Sequence, residues 1–273
     1  MSITIIEALK EIKLLINNAI KSKGASGKAS IIRSSKPIMN IHNAVKSKLI
    51  ELGIDKSKIL PHLNHTKPEL KLSGFIKFKN QDICVEPSRE SHVKEVLKDG
   101  VLTSQPDFYG HKFIEKILSI NVRSQLSSLA KNFDTLYERT ILEAINLHMR
   151  CPKMCLGEVY LLAVPEYDSD AVKKNKVSSK SPSTNLIEAY IRAFQKINNR
   201  NDHKIDNYKY ESVCLLIVDF FKKTPKLFKN NTELYNAGYI SRNFNVNIDD
   251  LSWDSFFERL LKMYKKRFKR VIP

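Results

Sequence analysis

The sequence predicts an α/β protein in which a mixed β-sheet is covered by helices on its faces, with a helical region before it. From residue 71 the apolar patterns follow the order strand, strand, strand, helix, strand, helix, strand. Val213–Phe220 is almost fully apolar, which is typical of a strand buried on both faces of a mixed sheet. Before residue 67, the apolar residues recur only at helical spacing.

The N-terminal helical region, residues 1–66, contains two predicted helices. The first covers residues 3–22, with Ser2 as its N-cap and Gly24 as its end. The second covers about residues 40–52, and the Gly-, Ser- and Lys-rich residues 24–38 between them are predicted to form a loop. Both helices have lysine-rich outer faces, so the apolar stripe of each is expected to face a core.

The remaining residues, 67–273, are predicted to form the core with a C-terminal helix. Asn80-Gln81 marks a turn, so the strands on either side of it are expected to form a hairpin. The predicted elements are the hairpin strands Lys71–Phe78 and Asp82–Val85, a polar loop 87–112, a strand 116–123, a helix 134–149, a strand 154–164, a mobile basic linker 168–182, a helix 184–199, a strand 213–220 and a helix 253–270.

The charge balance predicts a polyanionic partner. Lys and Arg number 46 against 29 Asp and Glu, which gives a net charge of +17 and a pI near 9.6. Such a field attracts phosphate backbones over long range. The basic segments 24–36, 173–180 and 262–270 are expected to contact a nucleic-acid backbone. For any single lysine, the alternative is an ordinary solvated surface.

Other classes of protein are not favoured by the sequence. No stretch approaches the roughly 20 apolar residues of a membrane span, so we expect no membrane partner. The first residues lack a basic start and a small-residue cleavage site, so we expect a cytoplasmic protein. Cys151 and Cys155 are four residues apart without an accompanying His pair, which does not match the usual zinc spacing.

Two charged residues at strand ends suggest phosphodiester chemistry. Asp82 opens the apolar strand Ile83-Cys84-Val85, and Arg123 follows the apolar run of the next strand. Hydrolysis of a phosphodiester needs an activated water and stabilisation of developing negative charge, and Mg²⁺ held by carboxylates can supply both. A nearby cation stabilises the transition state. The alternatives are a turn aspartate at 82 and an arginine at 123 that forms a salt bridge or contacts DNA phosphate.

The ordered set of motifs resembles the PD-(D/E)XK nucleases. The resemblance is carried by Gln81-Asp82-Ile83-Cys84-Val85, then Ser119-Ile120-Asn121-Val122-Arg123-Ser124-Gln125, then a helix and a strand. The run from Asn121 through Asp168 is similar to type II restriction endonucleases in particular. The resemblance implies a restriction-endonuclease-like fold and Mg²⁺-dependent cleavage of a short site in double-stranded DNA, usually by a homodimer.

The chain departs from the family pattern at two positions. The acid of the family's (D/E)XK step falls on Asn121, and its lysine falls on Arg123. An amide cannot give a metal a negative ligand, and arginine cannot lose its proton to act as a base. Gln125 could position a water or a base, although a plain polar residue at the strand exit is the simpler interpretation.

Some members of the family place the second acid on the following helix, and Glu138 could take that part here. Its neighbours at 142, 145 and 149 are apolar, so the helical pattern places Glu138 on an inward stripe. The alternative is a capping box formed by Thr135 and Glu138, which would give the carboxylate a structural task. Glu143 and Glu158 are further candidates for the second acid.

The sequence thus predicts a site-specific endonuclease with Asp82 and Glu138 as metal ligands and Arg123 at the reacting phosphate. Asn121 and Arg123 also favour a second hypothesis, a non-catalytic DNA-binding protein on an eroded nuclease fold. An RNA-processing or repair nuclease is a third hypothesis.

Overall fold

The computed structural model describes residues 2–269. Met1 of the predicted N-terminal region and Arg270 of the predicted C-terminal helix lie outside the described residues. The elements are, in chain order, α1 (Ile5–Arg33), α2 (Lys36–Glu51), β1 (Ile59–Leu60), β2 (Lys71–Ser73), β3 (Phe78–Asn80), β4 (Ile83–Val85), β5 (Glu95–Val96), β6 (Pro106–Asp107), α3 (His111–Glu115), β7 (Leu118–Gln125), α4 (Leu129–His148), β8 (Cys155–Ala163), β9 (Glu166–Tyr167), α5 (Ser169–Lys173), β10 (Ser179–Lys180), α6 (Thr184–Lys196), β11 (Ser212–Asp219), β12 (Lys226–Leu227), α7 (Asn231–Asn236) and α8 (Trp253–Arg267).

A mixed six-stranded sheet organises the molecule, in the order β1-β4-β7-β8-β11-β12. The three long central strands, β7, β8 and β11, run parallel, while β1, β4 and β12 are antiparallel to their neighbours. The central position of β11 explains its apolar sequence, since both of its faces are covered. The predicted α/β class with a mixed sheet is therefore confirmed.

Helices cover both faces of the sheet. The side chains of Ile120, Val159 and Leu216 share one hydrophobic cluster with α1, α2 and α8. The adjacent residues on two of these strands, Tyr160 and Leu215, point the other way and pack with α4 and α6. This alternation follows from the two-residue period of a strand. The N-terminal helices thus cover one face, and β1 adds an edge strand. Within residues 2–269, no helix combines the length and apolar character needed to cross a membrane.

The predicted end of the first helix is wrong. Helix α1 continues past Gly24 to Arg33, so most of the predicted loop 24–38 is helical. Gly24 has φ 54° and ψ −130°, so it kinks the helix instead of ending it. The N-cap is Thr4 rather than Ser2, because Thr4 and Glu7 form a capping box.

The predicted hairpin is also wrong. Strand β2 pairs with β3 in a separate two-stranded sheet, while β4 leaves them and pairs with β7 in the main sheet. The turn lies between β2 and β3, where Gly74 abuts the side chain of Asn146 on α4. The Asn146 Oδ1 accepts from the backbone N–H groups of Ile76 (2.7 Å) and Lys77 (2.9 Å). A contact from a distant helix therefore fixes the turn.

The two polar segments that the sequence assigns to loops contain short regular elements. The segment 87–112 includes the strand pair β5–β6. The basic linker 168–182 includes α5 and β10, and β10 pairs with β9. Asp168 caps α5 by accepting from the N–H groups of Asp170 and Ala171. These elements are too short to give a periodic pattern in the sequence.

Candidate functional site

Three polar residues lie side by side across the middle of the sheet. Asp82 immediately precedes β4, which pairs with β7 in the register Ile83 to Ile120. The next position on β7, Asn121, pairs with Glu158 on β8. The Asp82 Oδ2 accepts from the backbone N–H of Val122 at 2.8 Å. Asp82 therefore contacts β7 at the residue before Arg123, and Glu158 extends the polar row by one strand.

Arg123 lies beside this row and binds two carboxylates. Its Nη1 donates to Glu158 Oε1 at 2.6 Å and to Thr140 Oγ1 at 3.0 Å. Its Nη2 forms an ion pair with Glu143 Oε2. Thr140 and Glu143 are three residues apart on α4, so both face the same surface of the sheet. Arg123 therefore links the sheet to α4 through charge-assisted hydrogen bonds.

A second cation, Lys79, completes the group. Its Nζ lies 2.5 Å from Glu143 Oε2 and donates to Asn121 Oδ1 at 3.1 Å. Lys79 is on β3, which the Asn146 contacts hold against α4. We call Lys79, Asp82, Asn121, Arg123, Glu143 and Glu158 the polar cluster.

Burial and mutual attraction shift the pKa values of the polar cluster in different directions. Burial lowers the pKa of Lys79 to about 8, and the charge of Arg123 acts in the same direction. Burial raises the pKa of Glu158, although Arg123 opposes the rise. For Arg123, burial disfavours the guanidinium, but Glu158, Tyr210 and Asp82 together outweigh this effect and raise the pKa. Arg123 is therefore a permanent cation at this site.

The oxygen atoms of the polar cluster are of the type that Mg²⁺ prefers. Glu158 is fully buried, and its Oε2 has no hydrogen-bond partner among the described residues. Glu158 lies in the same row as Asp82, and its carboxylate oxygen without a hydrogen-bond partner could ligate a hard cation. Such a cation commonly takes one or two carboxylates and keeps several waters. Within residues 2–269, no group of three or more His, Cys, Asp or Glu side chains could hold a metal ion. Among the described residues, a metal ion would therefore find at most two such side chains as ligands at one place.

Glu138, the sequence's first choice for the second acid, lies elsewhere. Its side chain is exposed on α4, and Leu142 and Met149 of the predicted inward stripe are 42% and 43% exposed. Thr135 lies inside α4, whose N-cap is Ser128, so the capping-box interpretation is wrong. The structure brings Glu143 and Glu158 to Arg123 and leaves Glu138 on the outer surface.

Gln125 has a local structural contact. Its side-chain amide donates to the carbonyl oxygens of Ser127 and Ser128, where the chain turns from β7 into α4. This arrangement agrees with a polar residue at the strand exit, and it holds the connection that positions α4 over the sheet.

Sequence patterns do not indicate Lys79, and they place Glu158 only among the further candidates for the second acid. Lys79 is one of many lysines, and only the fold brings β3 to α4, so the sequence carried no usable signal. Glu158 did carry one, because it is a single charge inside the otherwise apolar strand β8. A buried charge in such a strand needs a partner or a function.

Two adjacent cavities lead from the polar cluster along α1. The first, of about 280 Å³, lies between the α1–α2 junction and α4 and is lined by Arg123 and Arg139. The second, of about 690 Å³, shares Ile32 with the first. We call the second cavity the basic cleft, and its charged lining consists of Lys28, Arg33, Lys173, Lys180 and Glu166. Two of the predicted basic segments, 24–36 and 173–180, therefore meet in one cleft.

The third basic segment lies at a different place. Lys266 and Arg267 line a cavity with Lys153 and His203, and Arg267 is paired with the buried Glu211. At least one of its cations is therefore used within the fold.

Comparison of the chain with known protein families, with curated proteins and with solved structures finds no match. The site is therefore interpreted from its own geometry.

Proposed function

We propose that this protein is a Mg²⁺-dependent, site-specific endonuclease that hydrolyses double-stranded DNA on a restriction-endonuclease-like fold. The observation that carries the proposal is the row of Asp82, Asn121 and Glu158 across three neighbouring strands, with Arg123 beside it. It combines a carboxylate, a second carboxylate with an unpartnered oxygen and a permanent cation on rigid strands. Rigid strands suit catalysis because they fix the side chains before the substrate arrives.

Each residue has a role in this proposal. Asp82 and Glu158 are the carboxylates that would hold Mg²⁺, which supplies an activated water and charge stabilisation when bound. Glu158 replaces Glu138 as our choice of second acid because it adjoins Arg123. Arg123 would donate to a non-bridging oxygen of the scissile phosphate as negative charge develops there. Asn121 would hold Lys79 through its amide oxygen.

The charge distribution supports a DNA partner. The net charge of +17 favours binding to a polyanion, and the basic cleft leads from the α1–α2 junction beside Arg123. A homodimer would match the two-fold symmetry of a palindromic DNA site, and it is proposed on that ground alone.

Plasmid and phage DNA digestion tests the proposal. Wild-type protein with Mg²⁺ should convert supercoiled plasmid to linear DNA and cut unmethylated phage DNA into discrete bands, and EDTA should stop both reactions. Asp82→Asn should reduce the cleavage rate by about 100-fold or more, because the loss of one charged group at a reacting centre costs several kcal/mol. Binding of DNA by this variant should remain measurable.

Two further variants sharpen this experiment. Glu158→Gln should lose cleavage like Asp82→Asn, whereas Asp99→Asn, an exposed loop residue with the same charge change, should cut like wild type. Full cleavage by Asp82→Asn would rule out the proposed site. Loss of cleavage in Glu138→Gln and not in Glu158→Gln would return the second acid to α4.

One observation favours a non-catalytic DNA-binding protein instead. Glu143 and Glu158 are both compensated by cations of the protein, and Asn121 stands where the PD-(D/E)XK nucleases, which the sequence resembles, carry an acid. Wild-type protein that binds DNA but leaves plasmid uncut at every Mg²⁺ concentration would support this alternative. Competition of the cleavage reaction by RNA or by damaged DNA would instead point to an RNA-processing or repair nuclease.

A further inference from the structure

Three donor groups converge on one carboxylate oxygen in the polar cluster. Glu143 Oε2 forms ion pairs with Lys79 Nζ and Arg123 Nη2, and Asn121 Nδ2 lies 3.5 Å from it. We propose that Lys79, Asn121 and Arg123 form a binding site for a non-bridging phosphate oxygen of a polynucleotide, and that Glu143 occupies this site until the polynucleotide displaces it. The proposal rests on the proposed function, since it assigns the substrate's phosphate to the same cluster.

The chemistry of the three donors suits a phosphate. Two cations and an amide donate to a single carboxylate oxygen. One oxygen atom of a phosphate can accept from the same three donors equally well. Lys79 and Arg123 are both largely buried, with side chains 16% and 15% exposed. Their attraction for an anion is therefore screened less by water than that of surface lysines.

Of the two carboxylates paired with Arg123, Glu143 is the one that a phosphate would replace. Glu158 is on a central strand and fully buried, so it stays paired with Arg123 whatever happens at α4. The carboxylate of Glu143 projects from α4, which packs over the sheet, and its side chain retains 9% exposure. Among the described residues the carboxylate contacts only side chains, so a competing anion need not break any hydrogen bond between this carboxylate and the backbone.

The cavity beside the cluster offers a route for the phosphate. Arg123 borders the cavity of about 280 Å³ that opens between the α1–α2 junction and α4, and Arg139 lies on its wall. A backbone phosphate entering there would pass Arg139 and reach Arg123. The entry of an anion then competes directly with Glu143 for the same guanidinium.

The test measures DNA binding without cleavage. A fluorescently labelled 30-base-pair duplex is titrated with protein in EDTA, and its anisotropy gives Kd for each variant. Glu143→Gln should tighten binding about three- to tenfold. Without the Glu143 carboxylate, Lys79 and Arg123 are free to donate to a phosphate, which adds roughly 1 kcal/mol to the binding free energy. Glu258→Gln, an exposed residue on α8 with the same charge change, controls for net charge and should change Kd by less than about twofold.

A second pair of variants tests the site from the side of its cations. Lys79→Met should weaken binding more than Lys77→Met, which removes an exposed lysine from the same hairpin. In the Lys79→Met background the gain from Glu143→Gln should shrink, because one of the two freed cations is absent. This non-additivity is the signature of a shared site.

The outcomes are distinct from those of the nuclease test. Wild type that cuts DNA while Glu143→Gln binds no better than Glu258→Gln overturns the phosphate site and leaves the nuclease proposal intact. Tighter binding by Glu143→Gln in a protein that never cuts DNA supports the site and overturns the nuclease. If circular dichroism shows Glu143→Gln unfolded, the comparison of Lys79→Met with Lys77→Met decides, and equal Kd values for those two overturn the site.

Discussion

A single carboxylate, Glu211, joins four parts of the chain near the start of the central strands β8 and β11. Its Oε2 accepts from the backbone N–H of Leu156, while Oε1 lies 3.1 Å from Arg200 Nη1 and 2.8 Å from Arg267 Nη1. The Nε2 of His148 lies 3.4 Å from Oε2. The buried side chain thus joins β8, the approach to β11, the end of α4 and the end of α8 without leaving its charge uncompensated.

We predict that this residue makes the stability of the fold acid-sensitive. Burial alone would raise the pKa of Glu211, but His148 and the two arginines outweigh it and lower the pKa to about 2. A carboxyl group with a lowered pKa stabilises the fold above its unfolded pKa and loses that contribution as the pH falls toward 2. Urea unfolding of wild type should therefore show about 3 kcal/mol less stability from this group near pH 2 than at pH 6.

Glu211→Gln is the matching test. The variant should be destabilised most at neutral pH, where two buried arginines lose their anion, and the difference from wild type should shrink between pH 4.5 and 2. The exposed Glu258→Gln should follow the wild-type curve. A constant difference between Glu211→Gln and wild type across this range would contradict the assignment.

Elements differ in how well the sequence predicts them. The strands β7, β8 and β11 are predicted to within two residues, because long apolar runs can be buried only as central strands. The partner strand of Asp82–Val85 could not be predicted from the sequence, because β4 pairs with β7, which lies more than thirty residues further along the chain. Local patterns specify an element, and long-range contacts specify its neighbours.

The same limit applies to the candidate site. Asp82 and Arg123 stand out in the sequence because each adjoins an apolar strand. Their partners could not be identified with the same certainty, since the pairing of Asn121 with Glu158 depends on the register of two parallel strands. Glu138 and Glu143 lie on different faces of α4, because five residues are not a whole number of helical turns. The sequence did not show which face packs on the sheet, because Leu142 and Met149 suggest an inward stripe but are exposed.

The kink in α1 yields a prediction for one element. A Cβ at Gly24 would lie 2.4 Å from Asn175 Oδ1 and 2.9 Å from Val172 O, and the residue has a positive φ. Gly24→Ala should therefore lower the free energy of unfolding by roughly 1–3 kcal/mol. Gly53→Ala separates the cost of the positive φ from the cost of the steric contact. Gly53 has φ 91°, but no atom lies within 4 Å of its would-be Cβ. Equal losses in thermal unfolding would show that the contact with the α5 segment contributes nothing.

At the scale of the whole molecule, the fold gathers charges that are separate in the sequence. Lys28 and Arg33 come from α1, and Lys180 comes from β10 about 150 residues later, yet all three line the basic cleft. Burial lowers the pKa of Lys28, and the charge of Glu166 opposes the shift. The lowered pKa indicates a half-buried ammonium that gains from an anion in the cleft.

This convergence predicts how DNA binding depends on salt. Each phosphate neutralised by a cation adds about 0.9 to the slope of log K against log salt concentration. If Lys28, Arg33 and Lys180 contact backbone phosphates, the variant with all three changed to Gln should have a slope smaller in magnitude by about two to three.

A control with Lys10, Lys56 and Lys223 changed to Gln carries the same net charge but alters exposed sites outside the cleft. Charges beyond the Debye length of about 8–10 Å are screened, so the control should keep nearly the wild-type slope. Equal slopes for the two triple variants would show that the field of the whole protein, rather than the cleft, holds the DNA.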